Sequence, residues 1–330
     1  MKKIRDYMIY LLVQFYGTVI AFIPRTWYMG IGRFWAPLIS LFPVGKVAAQ
    51  NVQAAFPEKS KKEVRRIVRE SLAHMIAVSC EFFWIRKRNA DLPSLVDIEE
   101  QTLENFERCR KAGKPVIFIS PHHGNWEFGG QMLAIGLGFT ISTIMRSPQN
   151  PYLGKLLVSG RSVKGVEIIF SKGAARAVMK AVKAGRSIGI LMDQNTRVRD
   201  GGIFVDFFGL KVPVTSLPAR IALKDKLPIV LGTEYRTGKR FGMTTVYIEP
   251  QDDDTEESLT QRMISAVEEI VRKWPEQYLW AYRRFQHIPP GEDRSRYPAY
   301  SEFAFSTTKE QEPMTCLLES LGLSAETSIS

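Results

Sequence analysis

His122, His123 and Glu127 lie within one short stretch, directly after the apolar run Pro115-Val-Ile-Phe-Ile119. A histidine with a carboxylate on one ring nitrogen has a fixed tautomer and a second nitrogen free to take a proton. That is the general-base half of a catalytic triad without its serine, so the nucleophile would belong to a substrate. Spacing limits how the pair can form. His122 and Glu127 are five apart, about 140° around a continuous helix, and can pair only if His122 sits on a turn before the helix. Pro121 and Gly124 supply such a turn. His123 and Glu127, at i and i+4, would share a helical face, so a purely helical reading would make His123 the base. The plainer alternative is a histidine that ends a strand and is satisfied by a nearby carbonyl.

Further motifs recur along the chain: Arg146 with Asn150-Pro151, Asp193-Gln194, Phe207-Phe-Gly209, Pro275-Glu-Gln-Tyr-Leu-Trp280 and Arg283-Arg-Phe285. Together with His122-His-Gly-Asn-Trp-Glu127, and in this order, they resemble the late lipid A acyltransferases, relatives of the glycerol-phosphate acyltransferases. The resemblance runs from about residue 5 to His287. It implies acyl transfer from an acyl carrier protein thioester to a hydroxyl of a phosphorylated glycolipid at the cytoplasmic face of the inner membrane, without a cofactor. His122 would be the base and Glu127 its carboxylate. Arg146, Asp193 and Gln194 would contact substrate, with Arg146 assigned to a phosphate or to the carrier's phosphopantetheine. Tyr282 departs from the family, where a histidine often stands.

Elements must place these residues. Residues 115 to 119 are too short for a buried helix and read as a core strand, which Pro121 ends; Glu127 then falls in the first turn of a helix. Further strands are expected over 139 to 145, 166 to 170, 188 to 192, 228 to 232 and 243 to 248, with helices over 172 to 184 and 259 to 274. Strands separated by helices imply an α/β fold, a central mostly parallel twisted sheet flanked by helices, and the resemblance adds that it is glycerol-phosphate-acyltransferase-like. If the strand before Asp193 neighbours the strand before His122, Asp193 faces the same crevice, to position the histidine, bind a substrate group or cap a helix. Phe204 to Leu210 could line an acyl groove, with core packing the default. His74, set among apolar residues, reads as a packing histidine.

Residues 8 to 23 are apolar but interrupted by Gln14 and Gly17 and fall short of the roughly 20 residues of a spanning helix. Basic residues flank them on both sides. Residues 1 to 45 therefore read as a helical segment that dips into or lies along a membrane surface, with a buried helical hairpin of the same domain and a single spanning helix as the alternatives, residues 46 to 287 as the catalytic domain, and residues 288 to 330, rich in Pro, Glu, Ser and Thr, as a loosely ordered tail.

The net charge is +11, and because residues 301 to 330 hold one Lys and five Glu, the rest of the chain carries +15. Such a surface suits an anionic partner. No zinc-finger spacing or RNA-recognition signature is present, so nucleic acid is the weaker candidate beside a membrane, a phosphorylated lipid or an acidic carrier protein. Residues 155 to 186 carry eight basic side chains against Glu167 alone. Lys172, Arg176, Lys180 and Lys183 fall on one helical stripe, the expected dock for phosphates or the carrier. Cys80, Cys109 and Cys316 have no metal-ligand spacing, and no metal site or disulfide framework is expected.

Overall fold

The computed structural model describes residues 2–88, 91–171 and 174–304. Four helices come first: α1 (Lys2–Phe22), α2 (Tyr28–Ile39), α3 (Pro43–Ala55) and α4 (Lys61–Arg88). The long α4 is the spine on which the other three lie. Its apolar face, including Val64, Ile67, Val68 and Leu72, is buried, while most of its lysines and arginines stay in solvent. Gly17, which interrupts the apolar run in α1, is a crossing point: any side chain there would run into the Phe83 ring of α4.

The chain then alternates through β1 (Val96–Ile98), α5 (Glu100–Ala112), β2 (Ile117–Ser120), α6 (Trp126–Gln131), β3 (Ile141–Met145), α7 (Pro151–Arg161), β4 (Val166–Phe170), α8 (Ala174–Lys183) and β5 (Ser187–Leu191). A hairpin of β6 (Gly202–Phe207) and β7 (Leu210–Thr215) follows, then α9 (Leu217–Asp225), β8 (Ile229–Thr237), β9 (Arg240–Ile248) and α10 (Glu256–Lys273). Two short strands, β10 (His287–Ile288) and β11 (Glu302–Phe303), pair beside the body. The main sheet has seven strands in the order β1-β9-β8-β2-β5-β3-β4. All pairs are parallel except β8 with β9. The expected mostly parallel α/β sheet flanked by helices is therefore present.

Because β2 is central and buried on both faces, its run Ile117-Phe-Ile119 is continuously apolar. Ile117 and Ile119 point into a core shared with α4, α8, α9 and α10, and Phe118 points to the opposite face beneath α5 and α6. Strand β8 runs to Thr237, past the expected end at residue 232, because it turns through Gly238 into an antiparallel pairing with β9. Beyond residue 287, Tyr297 and Ser301 are buried and the Tyr297 hydroxyl accepts from the Lys211 amide, so residues 288 to 304 lie packed on the body. Residues 305 to 330, Cys316 among them, lie outside the described residues.

Among the described residues, no single helix is long and apolar enough to cross a membrane. Helix α1 and the segment Arg25–Ile39 would pass together by length and composition but are bent by 106°. Both carry a contiguous exposed apolar face, with Ile4, Phe15 and Phe22 on α1 and Trp27, Phe34 and Leu41 in and beside α2.

Candidate active site

Sheet register builds the site. Ser120 pairs with Leu191, so two residues further along each strand His122 and Asp193 come level at the carboxyl edge of the sheet. There Asp193 holds the histidine twice: Oδ1 lies 2.7 Å from His122 Nδ1, and Oδ2 accepts from the His122 backbone amide at 2.9 Å. With Nδ1 donating to the carboxylate, Nε2 is left as an acceptor, and Gln194 Nε2 stands 3.3 Å from it. Burial opposes charge on the His122 ring, yet the charge and hydrogen bond of Asp193 prevail and raise its pKa above the ordinary histidine value. Asp193 is depressed in turn: burial alone would raise it, and the His122 ring, with Arg284 nearby, overrides that.

The carboxylate on His122 Nδ1 is thus Asp193, where spacing in the sequence had suggested Glu127. The first turn of α6 directs Glu127 toward α7 instead, and Arg161 donates to it through two nitrogens, at 2.9 Å and 2.6 Å. Burial works against the Arg161 cation, and Glu127 more than offsets this, holding the guanidinium protonated. Asn150 explains how Arg161 arrives there. Its side chain caps the start of α7 by accepting from the Tyr152 and Leu153 amides, Pro151 takes the first helical position, and Arg161 is the last residue of that helix.

His123 faces the other way, fully buried. Its Nδ1 is 3.0 Å from the Thr233 hydroxyl and its Nε2 is 3.0 Å from the Trp274 carbonyl. Both ring nitrogens are engaged, and burial lowers its pKa to about 4. The turn between the two histidines and α6 is braced from behind by the Pro275–Trp280 motif. Leu279 N donates to His122 O at 3.0 Å, and Gly124 N donates to Gln277 O at 3.1 Å. His74 Nε2 lies 2.9 Å from Gly124 O, so this buried histidine supports the turn. Gly124 has φ +57°, and a Cβ there would strike the Glu234 carbonyl, so the turn requires glycine.

Tyr282, the departure from the family pattern, accepts the Asn195 amide at 3.0 Å and so holds the loop that follows Asp193 and Gln194. A buried ion cluster secures the start of α6. Glu81 on α4 accepts from Arg236 at 2.9 and 2.7 Å, from Arg25 at 3.4 Å and from the Asn125 side chain at 2.7 Å.

Beside this edge, a chamber of about 120 Å³ opens between α6 and the sheet. Trp126, Glu127 and Arg161 stand at its polar end, and Phe118, Leu133, Ile141 and Met243 are among its apolar walls. His122 is just outside, with its ring edge-on to Trp126 at 5.4 Å between centroids. Small residues make the room: Gly189 and Gly232 on the strands, Gly129 and Gly130 on α6. Phe204 to Leu210 take no part in the chamber. Phe207, Phe208 and Leu210 are buried in the core on the other face of the sheet, where the hairpin packs against α10.

Of the other expected contact residues, Arg146 is exposed at the end of β3, and Arg176, Lys180 and Lys183 are exposed along α8 above buried Val178 and Val182. Lys172 lies outside the described residues. Among the described residues no group of three or more His, Cys, Asp or Glu side chains is placed to hold a metal ion.

Sequence reasoning missed Arg161, which it pooled with the surface bases of residues 155 to 186. The available signal was the Asn150-Pro151 cap, which starts a helix whose last turn must return to the site. It also missed Glu234, a lone acid inside an otherwise strand-forming run.

Comparison with known proteins supplies the family. The chain is 22% identical over 297 residues to the lipid A biosynthesis palmitoleoyltransferase of Escherichia coli (strain K12), covering 82% of this chain and 94% of the relative. It is 22% identical over 303 residues to the lipid A biosynthesis lauroyltransferase of the same organism, covering 81% and 94%. A lipid A biosynthesis acyltransferase of Shigella flexneri matches at 22% identity over 297 residues. The family described as bacterial lipid A biosynthesis acyltransferase matches residues 2–287, the span that contains the His122 turn, the chamber and the Pro275–Trp280 brace. The chain belongs to the bacterial lipid A biosynthesis acyltransferase family.

Proposed function

We propose that this protein is a membrane-associated O-acyltransferase that moves a fatty acyl chain from an acyl carrier protein thioester to a hydroxyl of a lipid A precursor, with His122 as general base. The observation that carries this reading is the 2.7 Å contact from His122 Nδ1 to Asp193, which leaves Nε2 as the acceptor beside the chamber. The acceptor hydroxyl takes the position of the Gln194 amide, gives its proton to Nε2 and attacks the thioester carbonyl. Asp193 stabilises the imidazolium. Two Arg161 nitrogens are held by Glu127 and the third is left to offset the oxyanion, so Glu127 acts through Arg161. When the tetrahedral intermediate collapses, the carbon–sulfur bond breaks, the thiolate leaves and the imidazolium returns its proton to sulfur. The part of the alkyl chain next to the thioester enters the chamber.

The surfaces fit the same reading. The exposed bases of α8 offer an acidic carrier protein a dock, and Arg146 at the nearby strand end suits a phosphate. The apolar faces of α1 and α2, flanked by Lys2, Lys3, Arg5 and Arg33, suit an anionic leaflet, which supports a seat for the body on the cytoplasmic side of the inner membrane. The test is the mass of lipid A in cells that lack such an activity and are supplied with the gene. Wild type should add the mass of one acyl chain, and His122→Ala should add none. A mass gain confined to a different glycolipid, or transfer that survives His122→Ala, would overturn the assignment.

A further inference from the structure

Most polar side chains that reach the chamber under α6 have partners. Ser120 Oγ donates to the Pro121 carbonyl at 3.0 Å, Thr143 Oγ1 to the Glu167 carbonyl at 3.5 Å and Thr245 Oγ1 to Thr102 at 3.2 Å. Gln131 Nε2 donates to the Glu127 carbonyl at 3.4 Å, and Glu127 and Arg161 hold each other. Glu234 differs. It lines the chamber from β8 and is only 2% exposed, and among the described residues its carboxyl meets only its own backbone amide. The acyl-transfer steps do not use it.

Burial without a counter-charge raises the Glu234 carboxyl to about 8, which makes it a neutral acid at pH 7, with an O–H to give and a carbonyl to accept. The space beside it is kept open by glycine. Gly129 on α6 lies directly over it, where a Cβ would stand 3.3 Å from Glu234 Oε2. Gly232, two residues earlier on the same face of β8, leaves a gap whose nearest atom to an added Cβ is the Thr245 methyl at 3.5 Å. The place of Glu234 in the chamber is set by the turn that follows His122: its backbone carbonyl accepts from the Asn125 amide at 2.7 Å, which puts the residue beside that turn, at the thioester end. A bare alkyl chain laid along this wall leaves the buried carboxyl with no partner beyond its own amide, whereas a hydroxyl on the chain can both donate to it and accept from it.

We propose that Glu234 is a specificity residue that selects an acyl donor bearing a hydroxyl close to its thioester end. The proposal rests on the acyl-transfer reading above and adds the chemistry of the chain. A site built to hydrogen-bond a substrate hydroxyl discriminates against the analogue that lacks it.

The test is competition, with the full chain in detergent and a lipid A precursor as acceptor, between acyl carrier protein thioesters of a 3-hydroxylated and a plain chain of equal length. Wild type should transfer the hydroxylated chain at least about tenfold faster. Glu234→Leu should erase or invert that ratio by transferring the plain chain faster. Glu234→Gln should keep most of the preference, because an amide also both donates and accepts. A wild type that favours the plain chain, or a Glu234→Leu ratio equal to wild type, overturns the proposal. Transfer without discrimination therefore removes this inference alone, while consumption of neither thioester by folded wild type removes the acyl-transfer reading and this inference with it.

Discussion

Burial alone would lower the pKa of both adjacent histidines, and for His123 it does, to about 4. His122 escapes because a carboxylate stands on its Nδ1. A general base must be neutral to work, so the rate should fall on the acid side of a pKa that lies above the ordinary histidine value. In Asp193→Asn, burial acts without its opponent. The acid limb of kcat/KM should move to lower pH and the plateau should drop by about 10²- to 10⁴-fold. His123→Ala should keep a measurable rate, since that ring is spent on Thr233 and Trp274. Profiles of folded, membrane-extracted variants decide the matter, and an Asp193→Asn profile that overlays wild type would remove Asp193 from the mechanism. The sequence read His122 as the base from the Pro121 and Gly124 turn, but it put Glu127 on the ring. Linear spacing reports only partners within one segment, and Asp193 is 71 residues away.

The elements were legible where a hydrophobic period was long or abruptly ended, as in β2, β5 and α10. Strand order was not legible, because periodicity does not say which strands are neighbours, and the meeting of His122 with Asp193 depends on β2 lying beside β5. Strand β8 extends beyond the expected end at Gly232, through Glu234 to Thr237, because its outer half is held by antiparallel pairing with β9. That acid was the signal of a polar group inside the chamber. The turn between β2 and α6 is the element on which most of the site depends, braced by α4, β8 and the Pro275–Trp280 motif together. Gly124→Ala forces a left-handed backbone on a residue with a Cβ and drives that Cβ into the Glu234 carbonyl. The cost should be at least about 2 kcal/mol. In a chain of this size that lowers Tm by about 3 °C, and calorimetry would detect it. Activity should fall further than stability, since Trp126 and Glu127 move with the turn. A variant with wild-type Tm would show that the turn relaxes at no cost.

Two surfaces of opposite character divide the whole molecule. The bases of α8 lie on one, and the apolar faces of α1 and α2 form the other. Reversing Arg176, Lys180 and Lys183 to Glu should raise KM for the carrier thioester roughly tenfold at low salt and change kcat little, with added salt narrowing the difference. Phe15→Glu with Phe34→Glu should leave the thioester kinetics in detergent unchanged and weaken sedimentation with anionic vesicles. The reverse pattern, with carrier kinetics altered by the aromatic changes, would exchange the two assignments. The buried Glu81 cluster also has a meaning in time. Arg25 leaves the ribosome 56 residues before Glu81, whereas Arg236 follows it by 155. At about 5–20 residues per second the second cation lags by roughly 8–30 s. Throughout that interval the helical hairpin has its exposed greasy side and one local ion pair, while the carboxylate still waits for its main counter-ion. On the proposed membrane-bound reading, the nascent chain would be ready to settle on lipid before its sheet can close, and its seat on the bilayer would be taken before the reaction centre exists.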